Sequence, residues 1–273
     1  MCGILGEYSI RANPTVEVDF KKLLDLSNER GPDNQGYYSN SKNLQLGFNR
    51  LSILDLSNLG NQPIHSFDKK ISMVFNGEIY NYLEIKNRLT EYGVDIKSTG
   101  DSEVLVNAFR LLGIEETINL LDGMFAIGLF DHKSELLYLI RDFAGIKPLH
   151  YGWNKDYVVF ASQYDQIARH KSFISNQIDP KVLKLYLSQH YIPVPHGILN
   201  NTFQVEPGEV VIFNSSGLKK SKHYWQFPEF HAPTIFNINS AIEHIGEELK
   251  QSVQAELVSD VPLCSFLSGG IDS

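Results

Sequence analysis

Residues 1–10 read MCGILGEYSI, and this opening decides how the rest of the chain is interpreted. Cys2–Tyr8 is a short apolar run, which predicts a buried strand at the start of the chain. Cys2 stands between Met1 and Gly3, and such a small second residue permits removal of the initiator methionine. The sequence therefore predicts a mature chain that begins with cysteine.

An N-terminal cysteine carries two groups that can act together. Its thiol has an ordinary pKa of about 8.5 and its α-amine one of about 7.7–8.0. The amine can accept the thiol proton, directly or through a water molecule, without a histidine. Taken alone, however, a cysteine at position 2 is more often an inert thiol in an apolar strand. The motifs that follow it decide between the two interpretations.

Seven short motifs follow Cys2 along the chain. They are RGPD (30–33), RLSILD (50–55), NGEIYN (76–81), GDSE (100–103), GMFA (123–126), RDFAGIKPL (141–149) and FAS (160–162). With Met1–Ile4, they resemble the class II (Ntn-type) glutamine amidotransferases, and among these the glutamine-hydrolysing asparagine synthetases. The resemblance covers nearly the whole chain.

The resemblance implies a catalytic role for three residues. Cys2 attacks the side-chain amide of glutamine, and the Asn76 side chain and the Gly77 backbone N–H form the oxyanion hole. Ammonia then leaves, and water hydrolyses the glutamyl thioester. An Asn-Gly pair is also typical of a hairpin turn, which is the competing interpretation.

Glutamine needs partners for its carboxylate and its ammonium. Arg50 suits the carboxylate because a guanidinium can form a bidentate pair, and a surface ion pair is the alternative. Asp101 suits the ammonium by charge, although it could instead cap a helix. RGPD either orders over the glutamine or is an ordinary proline turn. The resemblance adds further glutamine contacts at Leu51, Ser52, Ile53, Leu54, Asn76, Gly77 and Glu78.

The apolar periodicity predicts an α+β fold, because strands dominate the middle of the chain and helices come in groups. Helices are predicted over 17–28, 82–92 and 181–188 and from Glu103, and strands over 44–48, 71–75, 124–131, 135–141, 157–161 and 209–213. The resemblance implies an Ntn-hydrolase four-layer αββα sandwich, followed by the start of an α/β ATP-pyrophosphatase-type synthetase domain.

We predict three parts of the chain: a glutaminase domain over 2–224, a linker over 225–239 and the start of the synthetase domain over 240–273. In the last part Ser240 and Glu243 predict a capping box, and Val261–Leu267 predicts a strand. One helical face is predicted from the spacing of Ile242, Ile245, Leu249, Val253 and Leu257.

The Gly-rich stretch Ser268–Ser273 can hold phosphate on its backbone N–H groups, or it is a simple turn. The pattern SGGxDS resembles the pyrophosphate loop of ATP-pyrophosphatase-type synthetases. The resemblance implies ATP binding by Phe266, Leu267, Ser268, Gly269, Gly270, Asp272 and Ser273. The helix that follows such a loop is missing, so the chain is expected to be an N-terminal fragment.

Charge and composition argue against several classes of protein. The formal net charge is −8 without a basic cluster, which argues against nucleic-acid binding. No apolar run approaches the roughly 20 residues of a membrane span, and no signal peptide is recognisable, which predicts a cytoplasmic protein. Two distant cysteines and the lack of CxxC or HExxH spacing predict neither a disulfide framework nor a metal site.

The resemblance implies hydrolysis of glutamine without a cofactor. In the complete protein it implies ATP with Mg²⁺ for conversion of aspartate to asparagine. The alternatives are an amidotransferase that acts on another carboxylate, such as a sugar acid of a surface polysaccharide, and a catalytically silent regulatory paralogue. Glu29 and Gln163 replace the histidine and glutamate usual in the family, which leaves the subfamily open. The sequence does not decide the oligomeric state, for which a homodimer is the candidate.

Overall fold

The computed structural model describes residues 1–229 and 237–270. The strands within these residues are β1 Gly3–Ser9, β2 Asn34–Ser39, β3 Leu44–Arg50, β4 Ile64–His65, β5 Ile71–Ile79, β6 Gly123–Asp131, β7 Leu136–Arg141, β8 His150–Trp153, β9 Tyr157–Ala161, β10 Thr202–Gln204, β11 Glu209–Phe213 and β12 Lys219–His223. The α-helices are α1 Glu17–Asp25, α2 Tyr82–Glu91, α3 Asp101–Leu112, α4 Ile114–Leu120, α5 Tyr164–Ala168, α6 Pro180–Gln189 and α7 Ile238–Glu256.

The strands form two six-stranded antiparallel sheets. The first has the order β10-β8-β9-β1-β3-β2 and the second the order β12-β11-β7-β6-β5-β4. Apolar side chains from both sheets fill the space between them. Helices α1 and α5 pack on the outer face of the first sheet, and α2, α3 and α4 on that of the second. The predicted α+β class and the four-layer αββα sandwich are confirmed.

One aromatic side chain sets the contact between the sheets near the start of β1. Phe160 is fully buried and lies against Gly6 of β1 and Gly128 of β6. A Cβ atom at either glycine would lie 2.1 Å from the Phe160 ring. Because that distance is far inside van der Waals contact, only glycine fits at both positions, and β1 can lie close to the second sheet.

Most predicted elements are confirmed, and two strands, β9 and β11, have the predicted bounds. The predicted strand at 71–75 continues to Ile79, so Asn76 and Gly77 lie inside β5. The hairpin-turn interpretation of Asn76-Gly77 is therefore wrong. The helix predicted over 17–28 ends at Asp25 and is followed by a 3₁₀ turn, Asn28–Arg30.

The C-terminal part differs from the prediction in two ways. Helix α7 begins at Ile238, and the Asn237 side chain accepts hydrogen bonds from the N–H groups of Asn239 and Ser240. The predicted capping box of Ser240 and Glu243 is wrong because Asn237, itself a favoured cap, starts the helix earlier. Residues 261–267 form no strand, since no described strand lies beside them to complete a ladder.

The apolar face of α7 is exposed over the described residues. Its members have exposed fractions from 56% to 63% and are Ile242, Ile245, Leu249, Val253 and Leu257. Residues 230–236 of the predicted linker lie outside the described residues. Among the helices that the structure describes, none combines the length and apolar character that crossing a membrane requires.

Candidate active site

A cavity of about 280 Å³ opens where the N-terminus, β5 and the loop after β3 meet. Its size is near the lower end for small-molecule sites and suits a ligand as small as an amino acid. The predicted site residues that line it are Cys2, Arg50, Leu51, Ile53, Leu54, Asn76, Gly77, Glu78 and Asp101. Tertiary folding thus gathers residues spread over the first hundred positions into one cavity.

The Cys2 thiol lies against the backbone of Leu51. The Leu51 N–H donates to Cys2 Sγ at 3.4 Å, and Sγ is 3.6 Å from the Leu51 carbonyl oxygen. Burial raises the pKa of the Cys2 thiol, while the Leu51 N–H and the adjacent α-amine act in the opposite direction. The thiol therefore needs a nearby base to become a nucleophile.

The amino terminus lies beside this thiol. Met1 also lines the cavity, and burial lowers the pKa of its α-amine, an effect that the neighbouring Cys2 opposes and Arg30 reinforces. This amine is that of Met1, and removal of Met1 would transfer the amino terminus to Cys2.

The RGPD motif braces Cys2 and the loop after β3. Arg30 Nε donates to the carbonyl oxygen of Cys2 at 3.0 Å, and Asp33 Oδ2 accepts the Ser52 N–H at 2.7 Å. The segment therefore supports Cys2 and the loop after β3 from outside the cavity lining. Ser52 was predicted to contact glutamine, but it is absent from the cavity lining, and its N–H is directed to Asp33.

Arg50 is 5% exposed, and neutral hydrogen-bond acceptors surround its guanidinium. Its Nη1 donates to the Ser57 carbonyl and to Asn61 Oδ1, each at 2.7 Å. Its Nη2 donates to the carbonyls of Leu54, at 3.2 Å, and Asp55. No ion pair joins it to a carboxylate of the described residues, so the surface ion-pair interpretation is wrong. A buried cation with only neutral partners favours an anionic group in the cavity.

Asp101 is the first residue of α3 and is 6% exposed. Its Oδ2 accepts the Ile79 N–H from β5 at 3.0 Å, and the N-cap of α3 is Gly100. The capping interpretation of Asp101 is therefore wrong. Burial raises the pKa of Asp101 to about 6; the Ile79 N–H opposes this shift and the nearby Glu78 carboxylate adds to it.

The amide nitrogen of Asn76 is buried without a hydrogen-bond partner in the part of the chain that the structure describes. An unpaired buried donor costs about 1–3 kcal/mol, so such groups are uncommon in folded proteins. At a cavity wall, a ligand oxygen can supply the missing acceptor. Next to it, Gly77 has no room for a side chain, because a Cβ would lie 2.1 Å from the Met124 carbonyl oxygen.

The sequence did not assign Lys147 a role, yet it lines the cavity and is 6% exposed. Burial lowers the pKa of its ammonium, and the adjacent Glu78 and Cys2 raise it. Its motif, RDFAGIKPL, contributed to the resemblance. That a lysine from this loop faces Glu78 depends on the packing of β5 beside β6 and β7, which local sequence does not encode.

The residues predicted to bind ATP are not part of this cavity. Phe266 and Leu267 are 100% and 84% exposed, and the Gly270 N–H donates to Ser268 Oγ at 3.2 Å in a local turn. Asp272 and Ser273 lie outside the described residues. Leu263, a few residues earlier, does line the cavity and was not predicted to.

Two family models match the chain. Residues 1–225 match the glutamine amidotransferase domain, and residues 244–273 match the asparagine synthase family. Over its whole length the chain is 34% identical to asparagine synthetase [glutamine-hydrolyzing] 1 of Bacillus subtilis, of which it covers 43%. It is also 30% identical to Amidase chry2 of Gibberella zeae, of which it covers 42%. The chain thus spans less than half the length of these two relatives.

Among solved structures, the chain is similar to glutamine phosphoribosylpyrophosphate amidotransferase from B. subtilis. The TM-score is 0.57 with 18% identity, and the match covers 82% of this chain and 49% of that one. At this identity the likeness shows a shared fold, the two-sheet sandwich described above.

Proposed function

The chain belongs to the glutamine amidotransferase domain family, and from that premise we propose that Cys2 hydrolyses glutamine to glutamate and ammonia in the cavity. The observation that carries the proposal is the unpaired amide nitrogen of Asn76, which lies in the same cavity wall as the thiol. A silent paralogue has no need to retain a buried donor without a partner.

Glutamine binding is proposed to use the two buried charges. The α-carboxylate binds near Arg50, whose guanidinium has no anionic partner among the described residues. The α-ammonium binds near Asp101, and Glu78 adds a second carboxylate to the same wall. Opposite charges fixed on two sides of the cavity orient the side-chain amide toward Cys2.

The proposed chemistry has two steps. The α-amine removes the thiol proton, and Sγ attacks the amide carbon while the developing oxyanion accepts hydrogen bonds from Asn76 Nδ2 and the Gly77 N–H. The protonated amine returns the proton to the leaving nitrogen, which departs as ammonia and leaves a thioester. Water then adds to the thioester, and glutamate and the free thiol are released. Removal of Met1 places the amine on Cys2 itself.

For the complete protein we propose that this ammonia serves an ATP-dependent synthesis of asparagine from aspartate. The proposal rests on the match of 244–273 to the asparagine synthase family and on the relative of that name. The proposal keeps the three predicted parts of the chain: the glutaminase domain at 2–224, the linker at 225–239 and the start of the synthetase domain at 240–273. In this view the exposed apolar face of α7 packs within the synthetase part, and Ser268–Ser273 contacts ATP with Mg²⁺.

A diazoketone analogue of glutamine, which alkylates an activated thiol, tests the nucleophile. Intact-mass analysis is expected to show a chain without Met1 and one adduct on Cys2, and excess glutamine should prevent the adduct. The control is Cys264→Ala, which removes the exposed second thiol and should label like the parent chain. Retention of Met1, or an adduct on Cys264 instead of Cys2, would contradict the proposed role of Cys2.

The pKa of Asp101 predicts an acid limit for glutamine hydrolysis. With a pKa of about 6, Asp101 becomes neutral below that pH and no longer attracts the substrate ammonium. We expect kcat/KM to fall as the pH drops through about 6, and kcat to hold to lower pH because bound glutamine stabilises the ionised carboxylate. Steady-state rates from about pH 5 to about pH 8 measure this.

The matched variant is Asp101→Asn, which preserves size and removes the charge. It should raise KM about 10- to 100-fold at neutral pH, as expected for loss of a charge-assisted contact, and it should remove the acid limb of kcat/KM near pH 6. An acid limb that persists unchanged in this variant would assign the titration to another group.

A further inference from the structure

The chain returns to the active site after α7, through Asp260. The Asp260 N–H donates to the Ile53 carbonyl at 3.0 Å, and Asp260 Oδ2 accepts the Asp55 N–H at 2.8 Å. Two hydrogen bonds in opposite directions thus join one residue of the C-terminal part to the loop that follows β3. Leu263, close behind, lines the cavity itself.

A single peptide unit connects Asp260 to Arg50. The carbonyl of the Leu54–Asp55 peptide accepts from Arg50 Nη2 at 3.2 Å, and the N–H of the same peptide donates to Asp260 Oδ2. A cation therefore lies at the oxygen end of this peptide dipole and an anion at its N–H end. Both charges polarise the peptide in the same sense, so each strengthens the hydrogen bond made by the other.

The loop contains a residue with a left-handed backbone conformation. Asp55 has a φ of +51°, in the left-handed region that non-glycine residues rarely adopt. Its own carboxylate holds the turn by accepting the N–H groups of Ser57, at 3.0 Å, and Thr99, at 3.1 Å. These bonds fix the side chain, while the backbone N–H that points out of the loop is held by Asp260.

We infer that Asp260 is a positioning residue for glutamine binding, which fixes the Leu54–Asp55 peptide and, through it, the guanidinium of Arg50. The inference rests on the proposed function, in which Arg50 holds the glutamine carboxylate. It makes the affinity of the glutaminase site depend on a segment that matches the asparagine synthase family. Movement of the segment that contains Asp260 would change the KM for glutamine, although the Asp260 carboxylate does not contact the substrate.

The test compares Asp260→Ala and Asp260→Asn with the parent chain by steady-state glutamine hydrolysis. Asp260→Ala removes the acceptor and should raise KM about tenfold with kcat within about twofold, the scale of one charge-assisted hydrogen bond. Asp260→Asn keeps a neutral acceptor and should raise KM about threefold. The charge control is Glu247→Gln on the exposed surface of α7, which should leave both constants unchanged.

An amide substrate without the α-carboxylate, 4-aminobutanamide, separates positioning of Arg50 from a general structural effect. Because it has no group for Arg50 to hold, its kcat/KM should be the same in Asp260→Ala and the parent chain. An unchanged KM for glutamine in both Asp260 variants, or an equal loss with both substrates, would overturn the inference. Absence of glutamine hydrolysis by the parent chain would instead refute the proposed function.

Discussion

Substitution of Cys2 by alanine is expected to lower kcat for glutamine hydrolysis by about 10⁴- to 10⁶-fold, the range seen when an enzyme loses its nucleophile. Cys2 supplies the sole thiol among the described residues that line the cavity, so without it the α-amine and the donors Asn76 and Gly77 can only assist direct attack by water. Alanine is also small enough for removal of Met1, so the α-amine is retained. Ammonia release measured by a coupled assay gives the rate.

Binding measurements show whether the variant loses the catalytic step or the binding of glutamine. The Cys2→Ala chain retains Arg50 and Asp101, so calorimetry should detect glutamine with an affinity within a few-fold of the parent chain's KM. The matched control is Cys264→Ala, whose thiol is exposed and is not part of the cavity lining, and which should retain full activity. A Cys2→Ala rate within tenfold of the parent chain would exclude Cys2 as the nucleophile.

Replacement of Asn76 by alanine is expected to lower kcat about 10²- to 10³-fold, the cost of one oxyanion-hole donor. The unpaired Nδ2 meets its acceptor only when negative charge develops on the substrate oxygen, so KM should change little. The melting temperature should not fall, because the variant also removes a buried donor that lacks a partner in the described structure. Steady-state kinetics and thermal denaturation of the same preparations measure both effects.

Asn76→Asp supplies the matched variant. It preserves the shape of the side chain and replaces the NH₂ donor by a carboxylate oxygen, which repels the oxyanion. Its kcat should fall at least as far as that of Asn76→Ala, and the loss should be largest where the carboxylate is ionised. If either variant keeps kcat within about threefold of the parent chain, the oxyanion hole lies elsewhere.

The order and content of short motifs were sufficient to predict the family and the four-layer fold. Apolar periodicity also located the β6–β7 hairpin and gave the bounds of β9 and β11. Short or polar strands such as β12, KKSKH, were missed because their sequences carry no apolar alternation, and β12 is recognised only by its pairing to β11.

Tertiary contacts excluded the competing local interpretations of Asn76-Gly77 and Arg50. An Asn-Gly pair has the same local sequence in a hairpin and in a strand, and pairing of β5 with β6 places this one inside the sheet. An arginine at a strand end can lie on the surface or be buried. Arg50 is buried because the carbonyls of the following loop accept hydrogen bonds from its guanidinium. Local patterns report helical and strand periods, not which distant backbone groups will surround a charge.

The sequence by itself determined that a cysteine follows the initiator methionine and that the glutamine amidotransferase motifs follow in order. Only the tertiary structure decided that Asn76 Nδ2 is left without a partner beside that cysteine and that Asp260 reaches Asp55 across 205 positions. The physical reason is that residue types and periodicity are local properties of the chain. Burial, the pairing of charges and the satisfaction of hydrogen bonds are fixed by the packing of segments that are distant in sequence.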